Sequence, residues 1–374
     1  MSLDGTVTSL SGFCVAKTDL RRWRWEERQV PVGDLAPGQV LLGVDKFAFT
    51  ANNVTYARLG DQIAYWRFFP APEGWGYIPV WGVGNVVCSR HPELHEGERL
   101  YGYFPMTTHL VLEPRALRGA RCVDGAVHRQ ELPRTYNEYV LVDRDPGYDR
   151  AHEHEHLVLR PLFSLSFFGA EFLKEKRCFG AGQVIISSAS SKTALGLAFL
   201  LAQERPEGVE IVGLTSPANT GFVQKRTGYD RVLSYQAISA IAAEPAVFVD
   251  IAGDGAVRAA VHRHLGEALK HSARVGFTHW DALACLETDL PGPAPQLFFT
   301  PDHILKRRQE WGAEVLAARL SKAWRGFLGY VKPWLVIEHT AGRAGMERVY
   351  QEVLDGRTPP EKAHVVSIAQ RRAT

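Results

Sequence analysis

Residues 183–203 read QVIISSASSKTALGLAFLLAQ, and this stretch decides the fold. It opens with the β-branched run Val184-Ile185-Ile186 and continues through the small residues 187–191. It closes with an apolar segment in which Leu195, Ala198, Phe199 and Ala202 follow helical spacing. A strand, a tight loop and a helix in this order open a nucleotide-binding βαβ unit. The unpaired N–H groups and the dipole at such a helix start suit a pyrophosphate.

The loop lacks the glycines of the dinucleotide fingerprint. Serines and an alanine stand in their places, and only Gly196 remains, inside the helical segment. Taken alone, the stretch therefore slightly favours an ordinary buried strand followed by a serine-capped helix. A phosphate loop of the P-loop type is also suggested by Ser191-Lys192-Thr193, but both glycines that this motif requires are missing.

The composition bounds the class of protein. The chain has 374 residues, which predicts two domains, and 45% of them are hydrophobic. A formal net charge of +2 gives no reason to expect nucleic acid. The apolar runs are too short to span a bilayer, and residues 1–13 have no signal-peptide pattern. Five scattered cysteines without a C-x-x-C pair favour a reducing, cytoplasmic location.

The hydrophobic pattern changes partway along the chain. Residues 12–142 contain short alternating runs punctuated by turns, such as VLLGVDKFAF and IPVWGVGNVVCS. From about Leu159 onward, strand and helix patterns alternate, which predicts a doubly wound α/β domain with a parallel sheet. The tail, with WLVIEH and AHVVSI, fits a return to the first domain. We therefore expect one domain from residues 1–157 completed by 330–374, and a second from 158–329.

The order of motifs resembles the medium-chain dehydrogenase/reductase superfamily in its zinc-free, quinone-reductase-like branch. The resemblance rests on PGQVLLGVDKFAFTANNVTYARLG, HEGERLYGYF, NEYVLVD, VEIVGLTS with KRTGYDRVLSY, and GRAGMERVYQEVLDGRTPPEKAHVVSI. Within that branch the chain is similar to an uncharacterised bacterial subfamily. The resemblance implies a GroES-like β-barrel domain, a Rossmann doubly wound parallel sheet, a nicotinamide cofactor between them and, often, a homodimer.

The cofactor site that the resemblance implies lies at the carboxyl ends of the Rossmann strands. The strand that ends at Thr215 is followed by no Asp or Glu that would bind the ribose 2′-hydroxyl of NADH, so the sequence favours NADPH. Tyr235 matches the family's tyrosine at a 2′-phosphate, whereas the matching lysine position is Thr220. The predicted cofactor-binding residues are Ser188, Ala189, Ser190, Ser191, Lys192, Thr193, Ser216, Asn219, Tyr235, Ala252, Gly253, Phe277 and Thr278.

The reacting end is predicted to work without a metal. Zinc members of the superfamily need a Cys after an early strand and a Gly-His-Glu segment, where this chain has Phe47-Ala48-Phe49-Thr50 and Gly74-Trp75-Gly76-Tyr77. The histidines of residues 152–156 (HEHEH) would share one face of a strand, but their polar setting favours a solvated linker over a metal site.

The resemblance places Tyr56 near the nicotinamide as a proton source or orienting donor. Asn52 and Asn53 are then candidate contacts to the substrate carbonyl or amide, and packing is the alternative role for Tyr56. The sequence thus predicts an NADPH-dependent reductase of a small carbonyl, enone or quinone. A non-catalytic scaffold that binds nucleotide or a partner is the alternative, because the glycine loop is eroded.

Overall fold

The computed structural model describes residues 7–62, 64–145, 147–275 and 290–369. The chain divides into two compact units. The first runs to Val158 and resumes at Leu335, and the second spans Leu159–Trp334.

The first unit is built mainly of antiparallel strands. Its strands are β1 (Val7–Ala16), β2 (Asp19–Pro31), β3 (Val40–Phe49), β4 (Trp75–Gly76), β5 (Val80–Ser89), β6 (Arg99–Phe104), β7 (His109–Leu112), β8 (Pro114–Arg118), β9 (Arg121–Asp124), β10 (Glu138–Leu141), β17 (Val336–Ala341) and β18 (Lys362–Ser367). Its helices are α1 (Ala51–Arg58), α2 (Arg134–Asn137) and α8 (Arg343–Leu354). One sheet has the order β2-β1-β4, and a larger one has the order β17-β18-β3-β5-β6-β10-β9-β8, with β7 also paired to β3.

The tail completes the larger sheet of this unit. Strand β18 pairs antiparallel with β3, with Val366 opposite Phe47. Helix α8 packs its apolar side into the same core, where Met346, Val349 and Tyr350 are fully buried. Burial of such side chains contributes about 1.5–3 kcal/mol each, so the tail is an integral layer of this unit.

The second unit is a parallel sheet covered by helices. Its strands are β11 (Gln183–Ile186), β12 (Glu210–Thr215), β13 (Arg231–Ser234), β14 (Ala246–Asp250), β15 (Leu269–Arg274) and β16 (Gln296–Leu297), in the order β13-β12-β11-β14-β15-β16. Its helices are α4 (Lys192–Glu204), α5 (Pro217–Gln224), α6 (Gly255–Leu265) and α7 (Thr300–Val331), and α3 (Glu153–Glu175) enters it from the first unit. Strands β11 and β14 are buried throughout, as expected for a sheet covered on both faces. The predicted doubly wound sheet is confirmed.

Gly196, the glycine that remains after the loop, has a packing role. A Cβ at this position would lie 2.8 Å from Ser166 Oγ of α3. The Ser166 hydroxyl donates to the Thr193 carbonyl at 2.7 Å, in the first turn of α4. Glycine at 196 therefore allows α3 to approach the start of α4 closely and to hold it by a buried hydrogen bond.

The expectation of a solvated linker at residues 152–156 is wrong. Glu153 opens the 23-residue helix α3, and Glu153 and His156 are buried. Glu153 is held by Arg99 and Lys46, with a shortest contact of 2.8 Å to Arg99, and these cations hold its pKa down at about 2 against the opposing effect of burial. Buried charges require such partners, so the polarity of Glu153 reflects an ion-pair network rather than exposure.

No helix among the described residues has both the length and the apolar character needed to cross a membrane.

Candidate active site

The loop after β11 lies at the switch point of the parallel sheet. Strand β11 pairs with β12 on one side and with β14 on the other. The chain first adds β12 and β13 on one side of β11 and then returns to add β14 and β15 on the other side, so the strand order reverses at β11. In open α/β sheets, ligands bind outside the carboxyl ends of the strands at this point. The predicted phosphate loop therefore occupies the position at which the fold class binds a nucleotide.

The loop itself forms a tight, capped turn. Ser188 adopts a left-handed backbone conformation with φ of 53°, and its carbonyl accepts a 2.7 Å bond from the Ser191 N–H. The Ser191 side chain then caps α4 by accepting a 3.2 Å bond from the Ala194 N–H. Serine is among the best residues for this capping role. The loop therefore does form the serine-capped helix start that was the alternative to a phosphate loop. Such a cap is compatible with an anion site.

A buried carboxylate links the loop to the end of β14. Asp250 is 0% exposed, and its Oδ1 accepts bonds from the Ser187 hydroxyl (3.0 Å) and the Gly253 N–H (2.9 Å). Its Oδ2 accepts from Arg258 Nη1 at 2.9 Å. Burial raises the pKa of Asp250, and the Arg258 guanidinium opposes that shift. The Ser187 oxygen in turn accepts from the Ala252 N–H at 2.9 Å. Ala252 and Gly253, the two predicted cofactor-binding residues after β14, are thus both connected to Ser187.

Tyr235 approaches the loop from the end of β13. Its hydroxyl oxygen accepts a 3.0 Å bond from the Ser188 N–H. Burial raises the pKa of the phenol, which keeps it neutral at pH 7. A phenol carries one hydrogen, and no described residue accepts that of Tyr235, so it is available to a ligand.

A third group of side chains meets the loop from the end of β12. Asn219 Nδ2 donates to Ser190 Oγ at 3.1 Å, and Thr215 Oγ1 lies 3.3 Å from the same oxygen. Because Ser190 accepts from these neighbours, its own hydroxyl hydrogen is directed elsewhere. Between Glu210 and Asp230 the sequence contains no carboxylate, so the surroundings of this group favour an anion.

Backbone donors complete the fit to a phosphate. Within the described part of the chain, the N–H groups of Ser190 and Thr193 bind no protein acceptor. Thr193 lies in the first turn of α4, where N–H groups have no intrahelical partner and are satisfied by ligands or water, and Ser190 lies just before the N-cap residue. Together with the hydroxyl hydrogens of Ser190 and Tyr235, they form a set that donates only. This donor set fits the phosphates of a dinucleotide.

In the first unit, Tyr56 and Asn52 form a pair on α1. Asn52 Nδ2 donates to the Tyr56 hydroxyl at 2.6 Å. Tyr56 is 7% exposed, and burial raises the pKa of its phenol far above the usual range. The hydroxyl is therefore a neutral donor, and none of the described residues accepts its hydrogen. This geometry suits the predicted role of donor to a substrate oxygen.

Asn53, in contrast, binds other groups of the fold at both ends of its amide. Its Oδ1 accepts from the Thr50 N–H at 2.8 Å, and its Nδ2 donates to the Pro79 carbonyl at 2.9 Å. The side chain is 3% exposed and closes a capping box at the start of α1. Both ends of the amide thus bind the chain itself, which gives Asn53 a structural role beside its predicted contact to substrate.

Aromatic rings surround Tyr56. Tyr65 stacks on it at 4.6 Å between ring centroids, and Tyr103 meets it edge-on at 5.8 Å. The cluster packed around these rings comprises Tyr56, Tyr65, Phe68, Phe69, Tyr77, Trp81, Tyr103 and Tyr136. Offset and edge-on pairs of this kind stabilise a fixed ring geometry, so the phenol of Tyr56 is held rigidly.

The histidines of residues 152–156 lie at the start of α3. The three histidines of residues 152–156 do not converge: His152 binds Asp149, His154 lies 3.3 Å from Lys46, and His156 packs on Tyr148. No cluster of three or more potential metal ligands occurs among residues 7–62, 64–145, 147–275 and 290–369.

Lys192 begins α4, and Ser216 precedes α5 as its N-cap residue. Ala189 is buried under Tyr229, whose hydroxyl donates to its carbonyl at 3.1 Å. Phe277 and Thr278 lie outside the described residues.

Sequence reasoning missed the side chains that hold the loop. These are Ser187, Thr215, Tyr229, Asp250 and Arg258. One signal was available: Asp250 ends the apolar run AVFVD, and a carboxylate at the end of a buried strand requires partners.

A family model described as protein of unknown function (DUF2855) matches residues 47–359 of this chain. No curated protein matches the chain. Among solved structures, CurA from Vibrio vulnificus in complex with NADPH is similar at 14% identity and a TM-score of 0.59, over 98% of this chain and 100% of that one.

Two further solved structures are similar. A putative NADPH:quinone reductase from Mesorhizobium loti has 12% identity and a TM-score of 0.59, with 96% and 98% of the two chains covered. The yhdH oxidoreductase from Salmonella enterica, in complex with NADP, has 15% identity and a TM-score of 0.53, with 97% and 100% covered. At these identities the similarity shows the fold, and it confirms the predicted Rossmann sheet with a GroES-like domain.

Proposed function

The chain belongs to the DUF2855 family, whose function is unknown, and we propose from its site that it is an NADPH-dependent reductase that works without zinc. The observation that carries the proposal is the set of donors around the serine loop. Ser190, Thr193 and Tyr235 present hydrogens that none of the described residues accepts, at the switch point of a doubly wound sheet. Similar folds were solved with NADPH or NADP, which supports the same ligand class here.

The choice of NADPH over NADH rests on charge. An NADH site needs an acid that accepts from the ribose 2′-hydroxyl, and the segment after β12 has none. Asn219, Ser216 and Tyr235 supply neutral polar groups there instead. These groups suit a 2′-phosphate, which accepts hydrogen bonds only.

When bound, NADPH supplies a hydride to an electrophilic carbon. The protein's own task is then to polarise the substrate oxygen and deliver a proton. The neutral phenol of Tyr56, whose oxygen is oriented by Asn52, is the proposed donor. One such donor typically contributes about 10²–10³ in rate. The substrate class is a small carbonyl, enone or quinone compound.

The test is consumption of NADPH by purified protein with a panel of small enones, ketones and quinones. We expect the reduced-nicotinamide absorbance to fall with at least one acceptor class, at a rate that a zinc chelator does not change. Elemental analysis should find less than stoichiometric zinc. Binding of NADPH without turnover on any acceptor would favour the non-catalytic scaffold instead, and activity that needs zinc would overturn the metal-free mechanism.

A further inference from the structure

Three residues of the segment after β11 are each tied to a different later strand. Ser187 is bound by Asp250 at the end of β14, Ser188 by Tyr235 after β13, and Ser190 by Thr215 and Asn219 at and after the end of β12. Glycines usually give this loop the freedom to take its shape. Here the shape is imposed from outside by side chains that lie 25 to 63 residues further along the chain.

Asp250 holds the innermost of these ties. It is 0% exposed, and its group is a carboxylate, whereas Tyr235, Thr215 and Asn219 bind the loop through neutral groups. Hydrogen bonds to a charged group are stronger than those between neutral groups. Its Oδ1 joins the Ser187 hydroxyl to the Gly253 N–H, and this side-chain tie adds to the 3.1 Å backbone bond from the Ser187 N–H to the Val249 carbonyl at the carboxyl ends of β11 and β14.

Arg258 fixes the carboxylate in turn. The guanidinium binds Oδ2 at 2.9 Å, and its side chain is 11% exposed. An amide at 250 would have to turn an NH₂ group either toward Arg258 or toward the two donors on Oδ1. Either choice places donor against donor, because the Arg258 guanidinium on one side and the Gly253 N–H on the other can only donate. The site therefore requires a carboxylate so long as Arg258 is present.

We propose that Asp250 is a positioning residue for the nicotinamide half of the bound nucleotide, acting through Ser187 and through the backbone at Ala252 and Gly253. This inference rests on the proposed function. Asp250 touches no ligand atom itself. It holds the end of β14, which by its place in the sheet lies beside the nicotinamide, in register with the start of the phosphate loop. Loss of the tie displaces the turn at Ala252 and Gly253 while leaving in place the groups at the end of β12, which are proposed to bind the adenosine half.

The experiment compares two ligands on three proteins. Calorimetry measures the Kd of NADPH and of 2′,5′-ADP, which lacks the nicotinamide, for the wild type, Asp250→Asn and Glu210→Gln. Glu210 pairs with Arg231 at 3.2 Å at the start of β12 and β13 in the same sheet, and both side chains are about a third exposed, so its variant controls for the loss of an acid and an ion pair. For Asp250→Asn we expect NADPH binding to weaken about 10- to 100-fold with 2′,5′-ADP binding retained. Glu210→Gln should change neither.

A second variant keeps the test independent of folding. In Asp250→Asn combined with Arg258→Met, the amide can turn its oxygen to Ser187 and Gly253 and its NH₂ away from them. NADPH affinity should then recover by most of the lost factor. Equal NADPH affinity in Asp250→Asn and wild type would overturn the inference while leaving the proposed function intact, as would equal loss of both ligands. Failure of the wild type to bind NADPH would instead reject the proposed function.

Discussion

Tyr235→Phe separates the two uses of one hydroxyl group. The Tyr235 oxygen accepts from the Ser188 N–H at 3.0 Å, and its hydrogen is available to a 2′-phosphate. Loss of the neutral bond to Ser188 costs about 0.5–1.5 kcal/mol, an effect that any dinucleotide feels through the loop. Loss of a donor to a phosphate costs a further ~1.5–3 kcal/mol, which only NADPH feels.

The expected result is therefore a change in preference. NADH binding should weaken about 2- to 10-fold, and the ratio of NADPH to NADH affinity should fall by about 10- to 100-fold. Calorimetric titration of both dinucleotides into both proteins measures this. Tyr229→Phe is the matched control, because its hydroxyl donates to the Ala189 carbonyl of the same loop at 3.1 Å. It should affect both dinucleotides equally. If Tyr235→Phe also weakens both by the same factor, the phenol only supports the loop and the phosphate contact is refuted.

Three other substitutions test separate parts of the molecule. Tyr56→Phe should lower kcat about 10²–10³-fold with the Kd of NADPH unchanged, because the donor acts on the substrate oxygen; an unchanged kcat would remove Tyr56 from the mechanism. Lys192→Ala should weaken NADPH binding by about one to two decades and flatten its salt dependence, whereas a salt slope equal to that of the wild type would exclude a charge contact to phosphate. Arg177→Gly should raise the free energy of unfolding by about 0.5–1 kcal/mol in denaturant melts, because the exposed Arg177 has a left-handed backbone with φ of 46°, which glycine adopts without strain. Lys176→Gly is the control: Lys176 has φ of −81°, so glycine there should lower the free energy of unfolding.

The sequence was informative wherever hydrophobic period and short-range chemistry decide the structure. The run VIIS followed by SASSKTALG predicted a strand, a loop and a helix, and the structure has β11, a serine-capped turn and α4 in those places. The absence of an acid after β12 is equally a local property. Such features can be predicted from the sequence because strands, caps and turns are determined mainly by neighbouring residues.

The ties that hold the loop were beyond this kind of reasoning. Ser187 and Asp250 are 63 residues apart, and only the pairing of β11 with β14 brings them together. The stretch of residues 152–156 misled for a related reason: the charge of Glu153 is buried against Arg99 and Lys46, so its polarity did not signal exposure. The structural role of Asn53, whose amide binds Thr50 and Pro79, was likewise not predicted.

The central claim is that a serine loop without fingerprint glycines binds NADPH in preference to NADH. Calorimetric titration of the purified wild-type protein with each dinucleotide, at one salt concentration, tests this most directly. We predict saturable binding of one NADPH per chain, with a Kd at least tenfold lower than that of NADH, since one charge-assisted contact to the 2′-phosphate is worth about 1.5–3 kcal/mol. Equal affinities, or no binding of either dinucleotide, would contradict the account.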